Sequence, residues 1–212
     1  MIKNKTAKVI LIEDDMSFAI SSAVALFKSG GVFIYPTDTI YGIGGNPFIK
    51  ETIDKIIKIK GRQRDQKFIF LIRDLDILRN FVQINNKKLP GFLKKIWPAP
   101  VTVILELKKN ISRLFNSPDA AFRIPDHKFC SSLLAGLDMP LISTSVNKSR
   151  NRPINNKKII RQEFGVKVDA IFFSKKKLKN PASTIIDLTG NNPVLVREGI
   201  VKFETILEYF YY

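Results

Sequence analysis

Apolar residues fall into two rhythms along this chain. Short runs rich in Val, Ile, Phe and Tyr, bounded by turn formers, predict strands over residues 9–12, 32–35, 68–72, 101–107, 122–124, 141–145, 170–174, 184–188 and 194–197. Between them, apolar positions recur every three or four residues. They predict helices over 17–28, 49–60, 75–82, 87–97, 128–137, 157–164 and 203–212. Ile20, Val24 and Phe27 form the inward stripe of the first helix, which Gly30-Gly31 ends. Ile49, Ile53, Ile56 and Ile57 do the same for the second, and Gly61 is its stop. Pro36 closes the strand before it, and the Gly-, Thr- and Pro-rich residues up to Pro47 read as a loop.

Strands alternating with helices define an α/β fold. Successive strands near the C-terminus lack intervening helices, so the sheet is expected to be mixed rather than purely parallel. With 212 residues, 45% hydrophobic content and no repeat or long linker, one domain spanning 1–212 is expected.

Composition removes several chemistries. The single Cys130 excludes an internal disulfide and, next to Phe129, reads as core packing. With one Cys and one His, a structural zinc site is not expected, nor is any metal held by protein side chains. A Ser-His-Asp or Cys-His machine would have to use His127. The N-terminal apolar run is short and followed by acids, unlike a signal peptide, and no run approaches membrane-spanning length. These features predict a cytoplasmic protein without a membrane partner.

The net charge of +16, from 35 basic and 19 acidic residues, predicts attraction to polyanions such as nucleotide phosphates or RNA. Frequent Lys, Asn and Ile also fit an AT-rich genome, so part of that charge carries no functional information. Residues 148–179 hold eleven Lys or Arg against Glu163 and Asp169, and serve equally as a binding face or a solvated one.

Four segments carry candidate chemistry. Residues 35–45 (YPTDTIYGIGG) lie between a strand and a helix, where glycines let N–H groups converge on an anion. Thr37, Thr39 and Tyr41 add hydroxyls there, although the same residues make an ordinary tight turn. Lys60, Arg62 and Arg64 cluster around a helix stop, as a triphosphate site requires and as helix C-termini also favour. Residues 141–147 (LISTSVN) end an apolar strand in Ser143, Thr144, Ser145 and Asn147, where α/β sheets bind ligands and where turns also need such residues. Ser183 and Arg197 mark the ends of two late strands. Arg123 sits on a short apolar strand and needs a partner, which a substrate carboxylate would supply.

In order and spacing these segments resemble the YrdC-like family. The family's Pro-Thr-Glu-Thr and Tyr-Gly-Leu-Gly stand here as Pro36–Thr39 and Tyr41–Gly44. Its Lys-Gly-Arg-Pro stands as Lys60-Gly61-Arg62-Gln63, and its Trp-Pro-Gly-Pro-Leu-Thr begins at Trp97. Its Arg-Val-Pro-x-His stands as Arg123 to His127, and its Ser-Ala-Asn-x-Ser-Gly as Ser145 to Arg150. The Ser-Thr-Val-Val-Asp strand stands as Ser183 to Asp187, and Leu-Arg-x-Gly as Val196 to Gly199.

The resemblance implies a twisted, mostly mixed sheet with flanking helices and a large basic concave face. It implies a nucleotidyltransferase, a threonylcarbamoyl-AMP synthase of the short form, acting on L-threonine, bicarbonate or CO2, and ATP with Mg2+, for tRNA modification. Lys60 and Arg62 would be the catalytic pair on the triphosphate, and Gln66, Ser145, Asn147 and Arg197 would complete ATP binding. Thr39, Arg123, Ser143 and Ser183 would shape the threonine pocket. The tRNA and a downstream threonylcarbamoyl transferase complex are further partners it leaves open. Family members that have lost this activity commonly lack the Lys-x-Arg or Ser-x-Asn elements, both of which this chain keeps. A non-catalytic RNA-binding member is the alternative reading. Val146 and Arg150 replace small residues and are expected to crowd the Ser-x-Asn segment, while Gln63 and Lys67 replace prolines.

Overall fold

The computed structural model describes residues 6–61, 68–149, 151–178 and 181–212. Among them the strands are β1 (Lys8–Leu11), β2 (Phe33–Pro36), β3 (Tyr41–Gly44), β4 (Ile69–Leu71), β5 (Val101–Glu106), β6 (Asp119–Arg123), β7 (Leu141–Ser145), β8 (Ala170–Phe173), β9 (Thr184–Asp187) and β10 (Val194–Arg197). The helices are α1 (Met16–Lys28), α2 (Lys50–Lys60), α3 (Leu75–Phe81), α4 (Leu89–Ile96), α5 (Lys109–Phe115), α6 (Lys128–Leu137), α7 (Lys157–Phe164) and α8 (Phe203–Tyr211). The strands form one mixed sheet in the order β1-β8-β2-β3-β7-β4-β6-β5-β9-β10. Strand β8 runs parallel to both β1 and β2, whereas β7 is antiparallel to both β3 and β4.

Local chemistry explains most boundaries. Asp15 accepts the Phe18 N–H at 2.9 Å and starts α1, and Asp74 does the same for Ile77 at α3. Gly61 ends α2 in the left-handed region, at φ 58°. The structure departs from the sequence reading at three places. Strand β3 lies inside the expected loop, β6 begins three residues earlier than expected, and α5 was not anticipated. Half of β3 is glycine, which weakens strand propensity. The reason for the glycine is steric: a Cβ at Gly44 would collide with the Ile142 carbonyl oxygen and stand 2.6 Å from the Tyr35 ring. Helix α5 is held from outside, by Phe115 stacked on Phe70 at 5.1 Å.

The two-residue alternation of strands sorts the interior into two cores. Phe33, Tyr35 and Phe172 point one way and pack under α1 and α6 with Ala19, Ala23, Phe27, Phe129 and Leu133. Ile34, Ile43, Phe70, Val103, Phe122, Ile142 and Ile171 point the other way. They meet buried residues of α2, α3, α4, α7 and α8. The second core spans the sheet from β8 to β9, leaving out the two edge strands. Among the described residues, the first is built on β1, β8 and β2, with Leu71 and Leu141 at its border. The rest of that face, over β4, β6, β5, β9 and β10, receives no helix core.

Gly44→Ala is expected to lower the unfolding free energy by about 1–3 kcal/mol, as overpacking does. Gly91→Ala, where an added Cβ meets nothing within 4 Å, is expected to raise it by about 0.4–1 kcal/mol. Chemical denaturation of the two variants checks both signs.

Candidate functional site on the uncovered sheet face

Directly paired residues of neighbouring strands share a face, so the register places the site. One row crosses five strands: Ser143 on β7, Ile69 on β4, Ala121 on β6, Ile104 on β5 and Asp187 on β9. Beside it lie Leu71 paired with Arg123, and Ile185 paired with Arg197. All of these residues except Asp187 line a cavity of about 300 Å³ on the uncovered face. Thr39, Arg123, Ser143, Ser145, Ser183 and Arg197 all line it, six of the residues proposed from sequence. A larger hollow of about 610 Å³, between α2 and the turn after α7, contains none of them.

Arg123 is 5% exposed, and it already has a charged partner within the chain. Its Nη2 donates to Asp38 Oδ1, Nη1 to Thr39 Oγ1 at 3.3 Å, and Nε to the Ala99 carbonyl at 3.3 Å. Sequence reading had assigned the partner role to a substrate carboxylate and had missed Asp38. The Asp at the third position of Pro-Thr-Asp-Thr was the available signal. Thr37 builds the turn that presents this acid: its Oγ1 accepts the Thr39 N–H at 3.1 Å and donates to the Ile40 carbonyl at 2.7 Å.

Lys60 was expected to close the helix over 49–60, and it does. It is only 3% exposed. Its Nζ donates to the Ser145 carbonyl at 2.6 Å and to Asn147 Oδ1, and Ser145 Oγ donates to the same Oδ1 at 2.6 Å. Asn147 Nδ2 donates to the Asn151 carbonyl. The end of β7 is thereby tied to the end of α2, also through the Ser149 N–H on the Lys60 carbonyl at 2.8 Å. Lys60 and Asn147 thus stand beside the cavity through Ser145 rather than in its wall. Arg62, Gln63, Arg64, Gln66, Lys67 and Arg150 lie outside the described residues.

The opposite wall comes from β9 and β10. Ser183 Oγ and Thr102 Oγ1 are 2.9 Å apart, and Arg197 Nη2 donates to the Ser183 carbonyl at 2.8 Å. Glycine is required at 199: a Cβ there would strike the Ala182 carbonyl oxygen and come within 2.5 Å of the Thr184 nitrogen. Partial desolvation, then the nearby charge of Arg123, hold the Arg197 pKa below the usual guanidinium value. Among the described residues Arg197 has no carboxylate partner.

Three further expectations are corrected. The glycines of residues 35–45 do not cradle an anion, since their backbone belongs to the β2–β3–β7 ladder. Tyr41 turns its ring into the larger core, and its hydroxyl accepts the Ser174 N–H at 3.3 Å. Val146 is fully buried in that same core, so it does not crowd the site. Cys130 is buried, with its thiol pKa pushed far up by desolvation, in keeping with its reading as core packing. No group of three His, Cys, Asp or Glu among the described residues could hold a metal ion. No helix there is long and apolar enough to cross a membrane.

A mixed α/β sheet carrying two guanidiniums and a ring of hydroxyls over an apolar floor defines a binder of small anionic ligands. Comparison with known proteins gives the family. A model for Sua5, YciO and YrdC proteins, described as telomere recombination, matches residues 25–199, and the chain belongs to that family. It is 30% identical over 166 residues to a threonylcarbamoyl-AMP synthase of Neisseria gonorrhoeae, covering 77% of this chain and 88% of the relative. A crystal structure of Pyrococcus abyssi Sua5 complexed with L-threonine superposes with a TM-score of 0.87 at 25% identity, over 97% of this chain and 61% of that one. Escherichia coli YciO superposes with a TM-score of 0.83 at 26% identity, over 95% and 99%.

His127 immediately precedes α6, and its buried Nδ1 has no hydrogen-bond partner among the described residues. Desolvation lowers its pKa from 6.5, against the opposing charges of Asp38 and Glu13. A depressed histidine pKa means that the unfolded chain binds the extra proton first. Stability is therefore expected to be intact above about pH 6.5 and to fall as pH drops toward the folded value. Proton NMR titration of this single histidine is expected to give a midpoint below 6.5. The acid loss of stability should shrink in His127→Gln.

Proposed function

We propose that this chain is a threonylcarbamoyl-AMP synthase, joining L-threonine, CO2 from bicarbonate, and ATP to give threonylcarbamoyl-AMP and pyrophosphate. The observation that carries the reading is convergence. Six residues from five separated segments, Thr39, Arg123, Ser143, Ser145, Ser183 and Arg197, face one cavity. The relatives named for this activity, and the Sua5 structure holding L-threonine, support it. Arg123 takes the threonine carboxylate, with Thr39, Ser143 and Ser183 around the amino acid. Arg197, Ser145 and Asn147 meet the nucleotide, and Lys60, Arg62 and Gln66 hold the triphosphate. The threonine amine and CO2 form a carbamate, whose oxygen attacks the α-phosphorus of ATP. The bond from that phosphorus to the α–β bridging oxygen breaks, and pyrophosphate leaves with the electron pair.

No side chain in the cavity has the character of a tuned base, so the protein's contribution is placement and neutralisation of charge. ATP enters as its magnesium complex, with the metal carried on the phosphates. The donor set of the cavity is hydroxyl and guanidinium, and its nearest acid, Asp38, is committed to Arg123. The product supplies tRNA modification, and a threonylcarbamoyl transferase complex with its tRNA is the consumer. The protein works in the cytoplasm as one domain.

Pyrophosphate release from ATP is expected to require both threonine and bicarbonate. A purely RNA-binding protein would release none. Lys60→Ala and Arg197→Ala are each expected to cut that release about 10²–10³-fold, the scale of losing one preorganised charge-stabilising donor. Arg197→Ala should do so with little change in thermal stability, because among the described residues its one hydrogen bond goes to a backbone carbonyl. Ordinary turnover in either variant would remove that residue from the mechanism.

A further inference from the structure

An arginine that binds a substrate carboxylate is useful only if its fork points at the ligand before the ligand arrives. Its side chain is long and rotamer-rich, so a free guanidinium would have to be ordered on binding. In this chain Arg123 is held at three of its five N–H groups by Asp38, Thr39 and the Ala99 carbonyl. Two N–H groups have no partner among the described residues, and the residue lines the cavity. Asp38 is the charged member of that set. Its side chain is 8% exposed and it does not itself line the cavity.

We propose that Asp38 is a positioning residue for amino-acid binding: it fixes the Arg123 fork so that the remaining N–H groups meet the substrate carboxylate. The inference rests on the functional reading above and names a residue outside the binding set. Asp38 also accepts the Asp126 N–H at 3.3 Å, so it ties the β2–β3 turn to the segment leading into α6 across the cavity rim. Its charge matters as well as its shape. Arg123 and Arg197 both line one small cavity, where two like charges repel. A carboxylate on the outer side of Arg123 offsets that repulsion while leaving the inner side open.

The test is steady-state pyrophosphate release by the full chain, with threonine and ATP varied separately. Asp38→Asn keeps the shape and removes the charge. It is expected to raise the KM for threonine about tenfold or more while the KM for ATP stays within about twofold. Asp38→Glu is expected to recover threonine KM to within about threefold of wild type. A merely structural acid would lower the melting temperature of Asp38→Asn and leave both KM values in place, and that result overturns the proposal. A second measurement needs no variant of Asp38. The Arg123 Nε–H resonance, assigned with Arg123→Lys, is expected to be protected from exchange in the ligand-free chain and to shift on adding L-threonine. Rapid exchange without ligand would also overturn pre-positioning. Absence of threonine-dependent turnover in the wild-type chain would count against the proposed activity. Wild-type turnover with an unchanged variant KM counts against Asp38 alone.

Discussion

A sheet has two faces, and this chain gives helices to only one and a half of them. On the fully covered side, five helices bury a continuous apolar layer. On the other, α1 and α6 serve one end of the sheet, and the remaining strands meet solvent. A bare apolar sheet of that breadth would be an association hazard. The chain meets the problem by alternation. At the positions facing the gap, Ile69, Leu71, Ile104 and Ile185 are interspersed with Ser143, Arg123, Ser183 and Arg197. The result is a floor that is partly apolar and partly cationic, which suits a ligand combining a methyl-bearing carbon skeleton with a carboxylate or phosphates.

Two buried cations give that floor its rigidity. Lys60 locks the end of β7 to α2 through Ser145 and Asn147, and Arg123 locks β6 to the β2–β3 turn through Asp38 and Thr39. Each charge would be costly to bury alone, and each is met by several acceptors. Groups fixed this way do not need to reorganise when a ligand arrives, which is the basis of electrostatic preorganisation. Arg197 is different. Among the described residues it rests on one carbonyl, that of Ser183.

Helices α6 and α7 and strands β7 and β10 were legible in the sequence to the residue, because apolar runs there are bounded by turn-forming or capping residues. Strand β3 was not, because Gly42 and Gly44 answer to close neighbours, Ser143 and the Ile142 carbonyl, that no local pattern reveals. The residues of the cavity wall could be named through a family resemblance, yet their states could not. That Lys60 is internal and Arg123 already paired depends on contacts across 85 residues of chain. Asp38 escaped notice for the same reason, since a short acid in a turn looks local until β6 is placed beside it. Val146 shows the converse: alternation put it on the covered face, where a larger side chain packs rather than blocks.

The central claim is that one uncovered sheet face brings an amino acid and a nucleotide into contact. A crystal structure of the chain with L-threonine and a non-hydrolysable ATP analogue tests it most directly. The account requires the threonine carboxylate within hydrogen-bonding distance of Arg123, with the α-phosphate facing the amine inside the same cavity. Ligands resting on separate surfaces, or threonine bound away from Arg123, would contradict it.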